Sequence, residues 1–170
     1  MNNGVAKNLV SPAVLSQNAR AHIDQWLKKY PTEQKQSAVI AALTFVQEEK
    51  GGWLTTELMD AVAAYLGMPK IAVYEVATFY SMFELESVGK HKICVCTNIS
   101  CMLCGSDDIV AYLKKKLGIG LGETTTDGKF SLKSVECLAA CCGAPAMQIG
   151  PDYYENLTPQ KIDEILASKE

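Results

Sequence analysis

Cysteines are the residues of this chain whose type and spacing point most clearly to chemistry. All seven lie in the second half of the sequence, in a chain with no secretion signal. Such groups of cysteines more often bind metal or carry out redox reactions than form disulfides. The sequence therefore predicts a thiolate-based metal or redox centre. The seven are Cys94, Cys96, Cys101, Cys104, Cys137, Cys141 and Cys142.

Three kinds of chemistry fit the spacings. Zinc takes four soft ligands in a tetrahedron, which the Cys101-x-x-Cys104 pair and a later pair would supply. A Cys-x-x-Cys pair is also typical of redox dithiols. A [2Fe–2S] cluster needs four thiolates, two for each iron, and its net negative charge makes N–H donors to sulfur important. Spacing alone leaves all three open.

The spacings also leave two sets of cluster ligands open. Cys96-x4-Cys101-x2-Cys104, with a distant fourth cysteine, matches the spacing of plant-type ferredoxins. In the other set the pairs are Cys96 with Cys101 and Cys137 with Cys141.

Composition excludes several classes of protein. The chain has 170 residues, 48% of them hydrophobic, and a net charge of -3, which argues against a nucleic-acid-binding surface. No apolar run reaches the roughly 18 residues needed to cross a bilayer. The N-terminus lacks the features of a secretory signal. We expect a cytoplasmic protein with no direct membrane insertion, whose contact with any membrane goes through a partner.

Residues 1–85 contain no cysteine and are predicted to form a helical N-terminal domain, with roughly the first ten residues flexible. Apolar residues recur at helical spacing, and proline, threonine and glycine mark the ends. Helices are predicted over the stripe Ala19–Tyr30, from an N-cap at Thr32 to Gly51, from Thr55 or Thr56 to Gly67, and from Pro69 to about Phe79.

Residues 86–170 alternate between strand and helix patterns. The order β-α-β-β-α around a central sheet predicts a small thioredoxin-like domain, so the whole chain is expected to be α+β. Strands are predicted at Lys92–Cys96, Phe130–Val135, Ala146–Ile149 and Tyr153–Tyr154, with helices after an N-cap at Ser106 and after Thr158.

The motif CTNISCML, followed downstream by ECLAACCGAPAMQIGPDYYENLT, resembles a known family. This is the thioredoxin-like [2Fe–2S] ferredoxin subunit of the NADH dehydrogenase module of respiratory complex I, the E subunit of NADH-quinone oxidoreductase. VATFYSMF and the helical N-terminal part resemble the same family, so the match covers about residues 15–168.

The resemblance implies a ligand set. The family signature places the four thiolates on Cys96, Cys101, Cys137 and Cys141, and Cys104 is then not a ligand. Ala139 departs from the family, which usually has glycine there, and its methyl is expected to crowd the loop without changing ligation. The remaining cysteines are expected to be small buried hydrophobes, with the sulfur of Cys104 packed between helix and sheet.

The resemblance also implies a function. The chain has no Walker A motif, and its G-x-G-x-G run from Gly118 to Gly122 lacks the dinucleotide-binding spacing. The chain itself therefore shows no sign of binding NADH or flavin. The resemblance implies that FMN and NAD are bound by a partner subunit, with one [2Fe–2S] cluster here transferring single electrons. The expected partners are that FMN/NADH-binding subunit and other peripheral-arm subunits of complex I, at the inner face of the bacterial membrane. Alternatives are the equivalent subunit of an NAD-linked hydrogenase or formate dehydrogenase, and a zinc-stabilised interaction module.

Overall fold

The computed structural model describes residues 14–169. About the first ten residues are expected to be flexible, and they lie outside the described residues. The chain divides into two compact units between Ser87 and Val88. Within residues 14–169, no helix is both long enough and apolar enough to span a membrane.

The first unit is built from α-helices whose ends follow local sequence signals. The Ser16 hydroxyl accepts from the N–H of Ala19 at 2.9 Å, and the Thr55 hydroxyl accepts from the N–H of Leu58 at 3.3 Å. Gly67 ends the third helix in the left-handed conformation, at φ 68°. The helices are α1 (Gln17–Leu27), α2 (Val39–Glu49), α3 (Thr56–Leu66) and α4 (Lys70–Phe79).

The core of the first unit consists of the predicted apolar stripes, including Ile23, Leu43, Val46 and Val62, all fully buried. The predicted N-cap at Thr32 is wrong. A 3₁₀ segment, Thr32–Ala38, follows Pro31 instead, and α2 begins only at Val39. This stretch is polar and has no apolar stripe to bury, so it does not join the α-helix.

The second unit is a five-stranded sheet with helices packed on it. The strand order is β2-β3-β1-β4-β5, with β1 parallel to β3 and the other pairs antiparallel. The elements are β1 (His91–Cys96), α5 (Ile99–Leu103), α6 (Ser106–Leu117), β2 (Glu123–Thr124), β3 (Phe130–Val135), β4 (Met147–Ile149), β5 (Asp152–Tyr154) and α7 (Pro159–Ser168).

The core of the second unit lies between the sheet and helices α6 and α7. Ile93, Leu132 and Met147 from three adjacent strands are fully buried, together with Leu113 of α6 and Ile162 of α7. The predicted strands and the two predicted helices are present within one or two residues. The mixed helical and sheet fold confirms the predicted α+β class.

Two details of the second unit differ from the prediction. The short helix α5 and the two-residue strand β2 are additional elements. Ser106 does not cap α6, because Gly105 takes the N-cap position with φ 91°. The Ser106 hydroxyl is buried and has no hydrogen-bond partner. Glycine is suited to the left-handed conformation at this N-cap position. Ser106 is therefore the first residue of the helix and not its cap.

Candidate metal centre

Parallel strands β1 and β3 bring the cysteine segments together. Cys96, the last residue of β1, pairs in register with Val135, the last residue of β3. Both strands end at the same edge of the sheet. Cys137 lies at this edge, two residues after the end of β3. The N–H of Cys96 donates to the carbonyl oxygen of Ala146 at 3.0 Å, which holds the third segment at this edge.

The structure brings the four cysteines of the predicted ligand set to one region of the second unit. The Cys96 thiol interacts with those of Cys101 and Cys137, and Cys141 influences Cys101 electrostatically. Cys96 is 4% exposed and Cys101 2%, whereas Cys137 and Cys141 are exposed. One side of the group is therefore sealed by protein and the other faces outward.

Backbone amides favour the thiolate form of the two buried cysteines. Those of Asn98 and Leu138 lower the pKa of Cys96. That of Ala146 acts in the same direction on the pKa of Cys101, against the effect of burial. Donors aimed at sulfur stabilise thiolates and the negative charge of a metal–thiolate group, so this arrangement suits an anionic centre.

The two buried thiols differ in acidity. Burial alone would raise the pKa of Cys96, but the N–H groups of Asn98 and Leu138 and the thiols of Cys101 and Cys137 outweigh it and lower the pKa. Burial and the neighbouring Cys96 raise the pKa of Cys101. Cys96 is therefore the thiol more readily deprotonated, the form in which cysteine binds metal.

Asn98 positions the segment that carries Cys101. Its side-chain oxygen accepts from the N–H of Ile99 at 2.8 Å and caps α5, the helix on which Cys101 lies. The sequence interpretation missed this role. The signal was present, since asparagine is one of the preferred N-cap residues and stands directly before the helix.

The loop around Cys141 is held by backbone hydrogen bonds to the segment after β5. The N–H of Asn156 donates to the carbonyl oxygen of Gly143 at 2.6 Å, and the N–H of Leu157 to that of Pro145 at 3.1 Å. Gly143 is buried, and a Cβ there would lie 2.5 Å from Cβ of Glu155. A residue without a side chain is therefore required for this close approach.

Ala139 lies between the two exposed cysteines with φ 56°, in the left-handed region. Its N–H donates to Cys137 Sγ at 3.2 Å. The side chain is exposed, so its methyl is not confined by packing. The methyl of Ala139 therefore does not crowd the loop. What alanine changes at this position is the cost of the left-handed backbone conformation, which glycine adopts more readily.

The other three cysteines are not the buried hydrophobes that were expected. Cys104 and Cys142 are exposed, and Cys94 is half-buried. The prediction that the Cys104 sulfur packs between helix and sheet is wrong. Cys104 follows α5 at its C-terminal end, and the turn through Gly105 leaves its side chain outside the core.

The donor set fits a [2Fe–2S] cluster in number and kind, because four cysteines lie in one region of the second unit and the N–H of Ala139 donates to Cys137 Sγ at 3.2 Å. Among residues 14–169, no three histidine, cysteine or acidic side chains are arranged as a ready-made site for a single metal ion. The fit rests on the number and kind of ligands and on the N–H of Ala139.

Comparison with known proteins decides the family. Residues 23–170 match the thioredoxin-like [2Fe-2S] ferredoxin family. The chain belongs to the thioredoxin-like [2Fe-2S] ferredoxin family. The match covers most of the chain and includes all four predicted ligands, and the predicted cofactor, a [2Fe–2S] cluster, is confirmed.

Curated relatives of this ferredoxin are named as subunits of NADH dehydrogenases. The E subunit of the NADH-quinone oxidoreductase of Rickettsia felis is 51% identical over 140 residues, covering 82% of this chain and 84% of the relative. The mitochondrial NADH dehydrogenase [ubiquinone] flavoprotein 2 of Dictyostelium discoideum is 44% identical over 156 residues, covering 92% of this chain and 63% of the relative. The resemblance seen in the sequence is confirmed.

A solved structure shares the fold. An NAD+-reducing [NiFe]-hydrogenase in the air-oxidised state matches with a TM-score of 0.68 and 17% identity, covering 80% of this ferredoxin and 24% of the hydrogenase chain. At this identity the match shows the fold alone.

Proposed function

We propose that this ferredoxin is the electron-transfer subunit of an NADH:quinone oxidoreductase and exchanges single electrons with FMN on a partner subunit. The observation that carries the proposal is the group of four cysteines in one region of the second unit, where backbone amides favour the thiolate of Cys96 and the N–H of Ala139 donates to Cys137 Sγ. The names of the relatives at about half identity supply the kind of complex.

We propose Cys96, Cys101, Cys137 and Cys141 as the cluster ligands. Cys104 lies in the same segment, but it is not among the thiols that act on Cys96 or Cys101. When bound, the cluster supplies a site that takes up and releases one electron. The protein holds the four sulfurs in place and directs N–H dipoles at them.

The surface beside the thiols suits contact with another protein. Ile99, Met102 and Leu103 of α5 are 67%, 47% and 78% exposed. The segments 93–106 and 137–151 contain no charged residue. An uncharged, partly apolar face next to two exposed ligands supports docking of the redox partner at this surface.

We further propose that residues 1–85 serve as a helical docking domain and residues 86–170 as the cluster domain. The partners would be the FMN- and NADH-binding subunit and other peripheral-arm subunits of complex I, with the chain held at the inner membrane through them. The chain is 51% identical to an NADH-quinone oxidoreductase subunit, whereas its match to an NAD+-reducing hydrogenase shows only a shared fold. The identity therefore favours complex I over an NAD-linked hydrogenase.

The test uses the full chain purified anaerobically, alone and with its flavoprotein partner. We expect about two irons and two sulfides per chain and no stoichiometric zinc. The chain alone should not reduce ferricyanide with NADH, whereas the complex should. A colourless zinc protein would contradict the cluster, and NADH oxidation by the flavin-free chain would contradict the division of labour.

A further inference from the structure

The end of α4 and the segment that follows it, residues 79–85, expose four large apolar side chains. The four are Phe79, Tyr80, Met82 and Leu85, which are 80%, 38%, 46% and 40% exposed. The rings of Phe79 and Tyr80 meet edge to face, with 5.1 Å between their centroids. Apolar side chains grouped in this way on a surface mark a site of contact with another molecule. We refer to these four side chains as the apolar ridge.

The apolar ridge is held in its exposed position by the buried side chain of Gln47. Its Nε2 donates to the carbonyl oxygen of Met82 at 3.2 Å, and its Oε1 accepts from the N–H of Glu84 at 2.7 Å. Phe83, which lies between these two residues in the chain, is buried. The N–H of Leu54 donates to the carbonyl oxygen of Glu84 at 2.7 Å. Because the backbone is fixed on both sides of Phe83, the ridge is organised before any partner binds, which lowers the cost of ordering it.

The sequence around the ridge is acidic. Residues 71–89 contain Glu75, Glu84 and Glu86 but no lysine or arginine. Of these acids, Glu75 and Glu86 are exposed. A two-fold contact between two copies of the chain would place this acidic surface against itself, which like charges disfavour. The ridge therefore fits a different protein, one that offers an apolar groove with lysine or arginine side chains at its rim.

We infer that the apolar ridge is the surface by which the helical unit docks on the FMN- and NADH-binding subunit, in an apolar groove with a basic rim. Gln47 is then a positioning residue, since it is buried and acts by fixing the ridge. This inference rests on the proposed function, which supplies the partner, and it names the part of the docking domain that makes the contact.

Phe79→Ala and Ile71→Ala form a matched pair for the test. Phe79 and Ile71 are both exposed apolar residues of α4, but Ile71 lies near the start of the helix, outside the ridge. The full chain with its cluster is titrated with the purified FMN- and NADH-binding subunit, and the dissociation constant is measured at low and at high salt. Iron per chain and the electron paramagnetic resonance signal of the reduced cluster are recorded in parallel.

We expect Phe79→Ala to raise the dissociation constant about thirtyfold, the effect of removing one hot-spot side chain. Ile71→Ala should stay within about twofold of the parent, since contacts outside a hot spot are nearly neutral. Both variants should hold a full cluster. Because the proposed rim is basic, higher salt should weaken binding of the parent more than binding of the double variant Glu75→Gln/Glu86→Gln.

A double-variant cycle tests the role of Gln47. Gln47→Met keeps the approximate size of the side chain but removes the donor to Met82 and the acceptor for Glu84. It should weaken binding of the parent and cause a smaller further loss when combined with Phe79→Ala, because both changes disable the same surface. Equal losses in the two backgrounds would show that Gln47 does not act through the ridge. Should Gln47→Met not fold, the Phe79→Ala and Ile71→Ala pair decides alone.

Three results would overturn the docking surface while leaving the electron-transfer function intact. One is parental binding by a fully loaded Phe79→Ala variant. Another is an equal loss of binding in Phe79→Ala and Ile71→Ala. The third is a dimer of the chain alone that Phe79→Ala dissociates, which would make a second copy the occupant of the ridge. Failure of the proposed function looks different: the parent would then not bind the flavoprotein subunit, or NADH would not reduce the cluster in the complex.

Discussion

The two cysteine-bearing segments of the centre, residues 94–104 and 136–146, hold their thiols by different means. In the first, strand β1 ends at Cys96 and helix α5 carries Cys101, and both side chains are buried. In the second, Cys137 and Cys141 are exposed and lie in a loop and a 3₁₀ turn. Regular structure positions the first pair, and backbone hydrogen bonds and one left-handed residue position the second.

This difference shows that cysteines positioned in different ways can belong to one group of proposed ligands. Burial is not what the four cysteines share, since two are buried and two are exposed. They share a place in one region of the second unit, where backbone amides favour the thiolate of Cys96 and the N–H of Ala139 donates to Cys137 Sγ. Changes in the first segment should therefore act through helix and sheet packing, and changes in the second through the geometry of the loop.

The largest expected effect is the same in both segments. Replacing any one of Cys96, Cys101, Cys137 or Cys141 by alanine should abolish or severely destabilise the cluster, because a site with three thiolates must recruit a weaker ligand. Iron content and visible absorption measure the result. A fully loaded variant with the parental spectrum would remove the cysteine it replaces from the ligand set.

A smaller effect is expected where the second segment packs tightly. Gly143→Ala places a Cβ 2.5 Å from Cβ of Glu155. We expect the cluster-bearing unit to lose about 1–3 kcal/mol of stability, the usual cost of overpacking. Denaturation followed by loss of the cluster absorption measures this.

The double variant Gly143→Ala/Glu155→Gly is its control. Because glycine at 155 removes the atom that is struck, the double variant should be nearly as stable as Glu155→Gly alone. Additive losses would mean that the close contact is not the reason for glycine at 143.

The smallest effect is expected at the helix cap of the first segment. Asn98→Ala removes the acceptor for the N–H of Ile99 and should cost about 1 kcal/mol, whereas Asn98→Ser should keep most of the cap. Thermal unfolding of the two variants beside the parent measures this difference. Equal melting temperatures for alanine and serine would remove the cap from the features that hold Cys101.

The sequence predicts the regular parts of the fold better than the site's loops. The third helix was predicted from Thr55 and Gly67, because a hydroxyl N-cap and a left-handed glycine C-cap are strong local signals. Helix α5 was missed because five residues are too few to show an apolar period.

The proposed ligand residues come from the cysteine motif and its resemblance to the family, not from periodicity. Two properties of the centre could not be predicted from residue types. One is the left-handed conformation of Ala139, which alanine itself disfavours. Cys104 was expected inside because cysteine is usually buried, but Gly105 turns the chain so that it is exposed.

The matched pair Cys104→Ser and Cys141→Ser tests the ligand set most directly. Both cysteines are exposed, so either serine should change stability by less than about 0.5 kcal/mol through packing. With iron, sulfide and the electron paramagnetic resonance signal of the reduced protein measured for each, Cys104→Ser should keep a full cluster and Cys141→Ser should lose it. A colourless Cys104→Ser beside a fully loaded Cys141→Ser would contradict the ligand set and establish the plant-type spacing instead.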